Sequence, residues 1–144
     1  MTYSYQGPME NTAKAKKRRE AVSPKKTMET CRAVKDMKAE KAIEYLDKVI
    51  KGEKHVPYTV HKKKTPHQKK GTPGGYPEKS ARKVKETIQS ALKNAEQEGL
   101  NTENMKIVHS AAKKTGSVRK PRGKLRSKST NYTDIEIILK QKNT

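Results

Sequence analysis

Residues 113–128 read Lys-Lys-Thr-Gly-Ser-Val-Arg-Lys-Pro-Arg-Gly-Lys-Leu-Arg-Ser-Lys, and this stretch decides the fold. It holds eight basic side chains, no acidic one and only two aliphatic ones, so it cannot build a core of its own. An alternating run at 105–111 precedes it and a β-branched run at 133–139 follows it. Such runs predict two strands, joined as an extended β-hairpin arm over residues 110–132. The arm would pair its backbone internally and turn its side chains toward an anionic partner.

The composition limits the core and indicates the partner. The chain has 144 residues, of which only 30% are hydrophobic, and its formal net charge is +20 at pH 7. A chain this basic repels itself, so its compact state gains from binding a polyanion such as nucleic acid. A membrane fits least, because no apolar run approaches the roughly 20 residues that span a bilayer. We expect neither a membrane partner nor a small-molecule substrate, and the single cysteine excludes an internal disulfide.

Three helices are predicted ahead of the arm. The first opens at Ser23-Pro24, an N-cap followed by a proline in the first helical position, and continues to about Lys35. The second covers about 39–51 and the third about 77–98, and each is followed by a glycine. The residues expected to face inward are Met28, Cys31, Val34, Ala39, Ala42, Ile43, Leu46, Val49, Ile50, Ala81, Val84, Ile88, Ala91, Leu92 and Ala95.

Two further segments lack a helical period. Residues 1–19 are polar and end in a basic cluster, which predicts an N-terminal extension that is ordered only against a partner. Residues 20–22 are expected to form a short edge strand, and 53–76 a long basic loop. The predicted class is α+β, with one domain over 20–144. Its three helices would pack on a small three-stranded antiparallel sheet, from which the long basic β-hairpin protrudes.

An ordered set of short motifs resembles one protein family across nearly the whole chain. The motifs are Ser23-Pro24-Lys25, Lys41-Ala42-Ile43-Glu44-Tyr45-Leu46, Val56-Pro57-Tyr58, Pro66-His67, Gly75-Tyr76-Pro77, Asn94-Ala95-Glu96, Gly99-Leu100, Ile107-Val108-His109 and Asp134-Ile135-Glu136-Ile137. No single tripeptide is specific, but their order resembles the large-subunit ribosomal protein family numbered twenty-two in bacteria and seventeen in eukaryotes. The loop at 53–76 is similar to that of the archaeal and eukaryotic branch, and the chain as a whole is more similar to archaeal members.

The resemblance implies a structural constituent of the large ribosomal subunit that acts in the cytoplasm, within the ribosome. Such a protein binds and organises large-subunit rRNA, lies near the exit of the polypeptide tunnel and lines that tunnel with its hairpin. Its partners would be rRNA, neighbouring ribosomal proteins and the nascent peptide. By position, the hairpin tip would comprise Arg119, Lys120, Pro121, Arg122, Gly123, Lys124, Leu125 and Arg126.

Basic side chains in the extension, the loop and the arm are the candidate rRNA contacts, because lysine and arginine neutralise phosphates that RNA folding brings together. Recognition by shape and backbone is expected, since the aromatic residues are too few for a base-stacking platform. The candidates are Lys16, Lys17, Arg18, Arg19, Lys25, Lys62, Lys63, Lys64, His67, Lys69, Lys70, Lys113, Lys114, Arg119, Lys120, Arg122, Lys124, Arg126 and Lys128.

Other functional classes fit the sequence less well. A non-ribosomal DNA- or RNA-binding protein is the main alternative, but a DNA reader would need a basic recognition helix, whereas the basic density here lies in loops. The four histidines match no zinc spacing, and residues 71–75 lack the lysine that completes a phosphate-binding loop. No acid, base or metal constellation points to an enzyme. We therefore expect no catalytic residue, no metal and no cofactor.

Overall fold

The computed structural model describes residues 2–68, 71–121, 123–125 and 127–141. Within these residues three α-helices accompany a three-stranded antiparallel sheet and a smaller two-stranded one, which confirms the predicted α+β class. The elements in chain order are β1 (Thr12–Glu20), α1 (Pro24–Val34), α2 (Ala39–Ile50), β2 (Val56–Pro57), β3 (Gly74–Gly75), α3 (Glu78–Gln97), β4 (Met105–Arg119) and β5 (Ser129–Gln141).

The main sheet has the strand order β1-β5-β4, so the last strand of the chain lies at its centre. β4 and β5 pair as antiparallel strands from Met105, which lies opposite Gln141, to Arg119, which lies opposite Ser129. Two register shifts, one of them between Lys114 and Gly116, mark irregularities in that ladder. The basic outer halves of both strands carry no apolar alternation and are paired through the backbone.

The edge strand β1 lies at Thr12–Glu20, whereas the sequence analysis expected a short strand at 20–22. Ala13 and Ala15 are buried, and between them Lys14 turns to the other face, as the two-residue period of a strand requires. The side chain of Asn94 on α3 donates to the backbone oxygen of Lys14 at 2.7 Å. Residues 12–19, expected in an extension without fixed structure, therefore belong to the sheet.

The three helices agree with the prediction to within one or two residues at each end. Gly52 and Gly99 follow α2 and α3 with φ angles of +77° and +73°, a region that glycine enters without steric cost. The N-terminus of α1 differs in detail. The Ser23 side chain does not cap the helix; instead, the Ser23 carbonyl accepts a hydrogen bond from Thr27 Oγ1 at 2.7 Å.

The helices cover one face of the main sheet, and the core lies between the two layers. Leu46 from α2, Ile88 from α3 and Ile137 from β5 are fully buried there. Most of the residues expected to face inward belong to this core. Four of them are only partly buried and pack against it, namely Met28, Ile43, Ile50 and Leu92.

Candidate nucleic-acid interface

The described residues in the outer halves of β4 and β5 form an exposed basic surface. Every described side chain from 113 to 121 is exposed. The backbone N–H of Lys120 donates to the oxygen of Lys128 at 3.0 Å, so the pairing continues beyond the named strands. This basic segment, residues 113–129, is the outer part of the arm predicted at residues 110–132. Of the predicted contacts here, Lys113, Lys114, Arg119, Lys120, Lys124 and Lys128 are exposed, while Arg122 and Arg126 lie outside the described residues.

The central loop, residues 53–76, presents a second basic surface. Its two ends meet where β2 pairs with β3, and an isolated bridge joins His67 to Pro73. Lys62, Lys63 and Lys64 are all exposed. The ring nitrogen Nδ1 of His67 lies 2.7 Å from the backbone oxygen of Gly71, so this imidazole already has one partner within the loop. The predicted contacts Lys69 and Lys70 lie outside the described residues.

A buried carboxylate on α1 anchors the first half of this loop. Glu29 is 1% exposed, and its two oxygens accept the backbone N–H groups of Thr59, Val60 and His61 at 3.0, 2.9 and 2.8 Å. Three consecutive N–H groups aimed at one anion form a concave anion site. Burial alone would raise the pKa of Glu29, but these hydrogen bonds outweigh burial and lower it. An ionised side chain of the protein thus fixes the loop directly ahead of Lys62.

Replacing Glu29 with Gln should loosen the loop while the helices stay folded. The amide keeps one acceptor oxygen but turns a donor toward N–H groups that need an acceptor, at a cost of about 1 to 3 kcal/mol. Amide hydrogen exchange at residues 59–61 should therefore become faster, with little change in α2 or α3. Glu40→Gln, at an exposed position of α2, is the matched control. Unchanged exchange at 59–61 would contradict the anchoring role.

A second buried carboxylate lies at the base of the arm. The side chain of Glu136 on β5 is 0% exposed, and its Oε1 accepts a hydrogen bond from Lys16 Nζ at 2.8 Å. Its Oε2 accepts the N–H and the hydroxyl of Ser4 at 3.1 and 2.7 Å. Burial acts to raise the pKa of Glu136, but Lys16 and Ser4 together lower it to about 2.

Residues near the N-terminus are thereby held against the outer face of the sheet. The Ser4 hydroxyl lies 3.2 Å from Nε2 of His109, and the Tyr5 ring lies 5.6 Å from the His109 ring. His109 Nε2 is also 3.6 Å from Glu136. The N-terminal residues, β1, β4 and β5 therefore meet at this one carboxylate.

The basic residues of β1 look equivalent in the sequence, but in the structure some of them pair with acidic side chains and others are exposed. Lys16 pairs with Glu136, and Lys17 pairs with Glu86 on α3. Both ammonium groups thus have partners inside the protein. Arg18 and Arg19 at the end of β1 and Lys25 on α1 are exposed instead.

Arg19 is held at a defined place beside the arm. Its φ angle is +53°, and its backbone N–H donates to Asp134 Oδ1 at 2.9 Å. Its guanidinium lies 5.8 Å from the centre of the Tyr132 ring, within the range of a cation–π contact. The guanidinium remains exposed to solvent.

Sequence reasoning missed both anchoring carboxylates. Glu136 carries a signal that could have found it, because it stands between Ile135 and Ile137 in a run of residues that are all buried. A charged residue in such a run needs an internal partner. Glu29 carries no such signal, since its neighbours along α1 also include polar residues and its partners are 30 to 32 residues away.

Three further features of the described residues concern metal ions, membranes and the single thiol. Among these residues no group of three or more His, Cys, Asp or Glu is placed to hold a metal ion. None of the described helices is both long enough and apolar enough to span a bilayer. Cys31 is 1% exposed, and burial raises its pKa to about 11, so its thiol stays protonated.

The chain is a small α+β domain that carries a paired, cation-rich arm and a second basic loop. This combination is typical of proteins that bind a polyanion. Comparison with known families identifies the particular one. The family described as ribosomal protein L22p/L17e matches residues 15–140, and the chain belongs to this family.

Archaeal relatives are similar over almost the full length. A protein of Methanopyrus kandleri named large ribosomal subunit protein uL22 is 40% identical over 92% of this chain and 89% of its own length. Proteins of the same name from Methanococcus maripaludis and Methanosphaera stadtmanae are 35% and 38% identical, over 98% and 96% of this chain. These matches cover 97% and 95% of the two relatives' own lengths. The resemblance seen in the short motifs is therefore confirmed, and so is its archaeal type.

Proposed function

We propose that this protein is a structural constituent of the large ribosomal subunit that binds and organises rRNA. The family match over residues 15–140 carries this conclusion, together with archaeal relatives named as large-subunit proteins. The role is structural rather than enzymatic, and the protein's place is the ribosome. Its partners are large-subunit rRNA and neighbouring ribosomal proteins.

The mechanism follows from where the cations lie. The arm and the central loop place exposed lysines and arginines on paired or anchored backbone, so little freedom is lost when they meet phosphates. Each phosphate contact releases condensed counterions, which makes the affinity depend on salt. Arg119 can hold a phosphate with two parallel hydrogen bonds, whereas the lysines act as point charges. Two RNA segments brought to the two surfaces would be held in a fixed arrangement.

The arm is long enough to reach well beyond the core of the protein. The last buried residue of β4 is Ala112, and the pairing continues from there to Lys120. At about 3.3 Å per residue, the arm reaches on the order of 25 Å beyond the core. A narrow two-stranded arm of this length fits the lining of the polypeptide exit tunnel, where its tip would contact the nascent peptide. The globular part would then lie near the tunnel exit.

Charge removal in the arm tests this function. A triple variant, Lys114→Gln, Arg119→Gln and Lys120→Gln, should bind purified large-subunit rRNA more weakly. The slope of log affinity against log salt should become shallower by about two to three, one phosphate contact being lost per cation. The matched control replaces Lys41, Lys79 and Lys93, which are exposed on helices, with Gln. That control should leave the slope nearly unchanged.

Sedimentation in the native cell tests the assembly. The unaltered protein should migrate with large subunits and remain there through a high-salt wash, while the arm variant should occupy fewer subunits. A free or salt-released pool of the unaltered protein, or a peak with the nucleoid, would overturn the ribosomal role. Equal subunit occupancy of the arm variant and the helix control would overturn the part assigned to the arm.

A further inference from the structure

A groove of about 570 Å³ lies between the end of α2 and the two ends of the central loop. Its walls include Lys48, Glu53, Lys54, His55, Gln68 and Tyr76. Its size is within the range of clefts that hold a small organic ligand. None of these residues is among the rRNA contacts predicted from the sequence.

Tyr76 gives the groove an aromatic surface. It is 48% exposed, and it is the most exposed of the six tyrosines, all of which the structure describes. The backbone around it is fixed, because its carbonyl accepts the N–H of Glu78 at 2.9 Å and Pro77 behind it is buried. An exposed ring on a fixed backbone is a ready surface for stacking.

Two polar side chains of the groove are also held in place. His55 Nε2 lies 2.9 Å from Thr72 Oγ1, and Gln68 Nε2 donates to the oxygen of Gly74 at 3.1 Å. The backbone N–H of Gln68 donates to the oxygen of Thr72 at 2.9 Å. These contacts leave His55 Nδ1 and Gln68 Oε1 without a partner among the described residues. Both atoms can form hydrogen bonds with the edge of a planar heterocycle.

Two ammonium groups complete the groove. Lys54 Nζ lies 4.9 Å from the centre of the Tyr45 ring, which holds this cation at the rim. Lys48 is exposed on the last turn of α2. Neither lysine forms an ion pair with a carboxylate in the described part of the chain, so both are suited to an external anion.

We propose that this groove receives one unstacked nucleotide of the large-subunit rRNA. The base would stack on Tyr76, its edge would meet His55 and Gln68, and a phosphate would lie between Lys48 and Lys54. A single-stranded RNA loop offers this combination of a planar face and a charged oxygen group. The inference rests on the proposed rRNA binding and adds a contact with a base to recognition by shape and phosphate.

Binding of purified large-subunit rRNA to the full chain tests the groove. Tyr76→Ala should weaken binding about tenfold without changing the salt slope, because it removes a stacking surface and no charge. Tyr76→Phe should retain the affinity, since the ring remains. Val60→Ala, at an apolar position of the same loop that is 62% exposed, is the control and should bind like the unaltered protein. Equal affinity of Tyr76→Ala and the control would overturn the inference.

Photochemical crosslinking on intact large subunits gives a second readout. Irradiation followed by mass spectrometry should identify a peptide that contains Tyr76 and carries one nucleotide. Crosslinks from the arm and the loop lysines with none at Tyr76, or a Tyr76 crosslink to another protein, would overturn the nucleotide groove and leave the proposed function standing. Failure of the unaltered chain to bind rRNA would overturn both.

Discussion

Replacing Glu136 with Ala should lower the free energy of unfolding by about 3 to 5 kcal/mol, the range measured when one partner of a buried ion pair is removed. The side chain of Lys16 is only 9% exposed, and without Glu136 its ammonium would be left buried. Asp134 lies 4.0 Å from this ammonium, too far to replace the lost hydrogen bond. Ser4 would lose the acceptor of both its N–H and its hydroxyl.

Urea unfolding followed by far-ultraviolet circular dichroism measures this change, since the chain has no tryptophan for fluorescence. Glu96→Ala, on the exposed side of α3, is the matched control and should leave the midpoint unchanged. Glu136→Gln should lie between the two, because it keeps an acceptor but removes the charge. A midpoint for Glu136→Ala equal to that of the control would contradict the account.

The same carboxylate predicts a dependence on pH. Its pKa is about 2 in the folded protein against an ordinary value of 4.5, so the unfolded chain takes up the proton first as the pH falls. The stabilisation is complete above about pH 4.5 and declines between pH 4.5 and 2. The difference in stability between the unaltered protein and Glu136→Ala should therefore shrink in the same interval. A difference that stays constant from pH 7 to pH 2 would show that the charge of Glu136 contributes nothing.

Replacing Ile88 with Ala should cost about 2 to 5 kcal/mol, because it removes buried methyl and methylene groups and leaves a cavity. Ile88 is fully buried in the middle of α3, where the helix packs on both β1 and β5 and against α2. Alanine suits a helix at least as well as isoleucine, so the loss reflects packing alone. Small domains are stable by only about 5 to 15 kcal/mol, and this change removes a large share of that margin.

The control for Ile88 is its neighbour Gln89, which is exposed on the same helix. Gln89→Ala should unfold at the same urea concentration as the unaltered protein, whereas Ile88→Ala should unfold at a clearly lower one with an unchanged slope. Because no charge is removed, the salt slope of rRNA binding should be unaffected under conditions in which Ile88→Ala remains folded. Equal midpoints for Ile88→Ala and Gln89→Ala would mean that the stripe of α3 does not form the core.

The helices were predictable because an apolar stripe is a local property of the sequence. Ala42, Leu46 and Val49 recur with the helical period in α2, and Val84, Ile88 and Ala91 do so in α3. A glycine with a positive φ angle follows each of these two helices. β1 was placed wrongly because its inward residues are two alanines among lysines, which gives little contrast in hydrophobicity. Its identity as a strand depends on pairing with β5, more than a hundred residues away in the chain.

The candidate site was predictable in composition and less so in arrangement. Basic density located the arm and the loop, since exposed cations are visible in the sequence itself. Which cations point outward depends on distant acids, as the ion pairs of Lys16 and Lys17 show. The groove beside Tyr76 was invisible for the same reason, because its walls come from the end of α2 and both ends of a long loop.

The central position of β5 sets the order of events during synthesis. β1 and β4 precede β5 in the chain, so β1 has no strand to pair with until β5 itself has been synthesised. Until then Glu136, which is part of β5, has not been made, and Lys16 remains one more unpaired cation. Contacts between residues so far apart in the chain form slowly. The main sheet of the new polypeptide therefore closes only after β5 has left the ribosome.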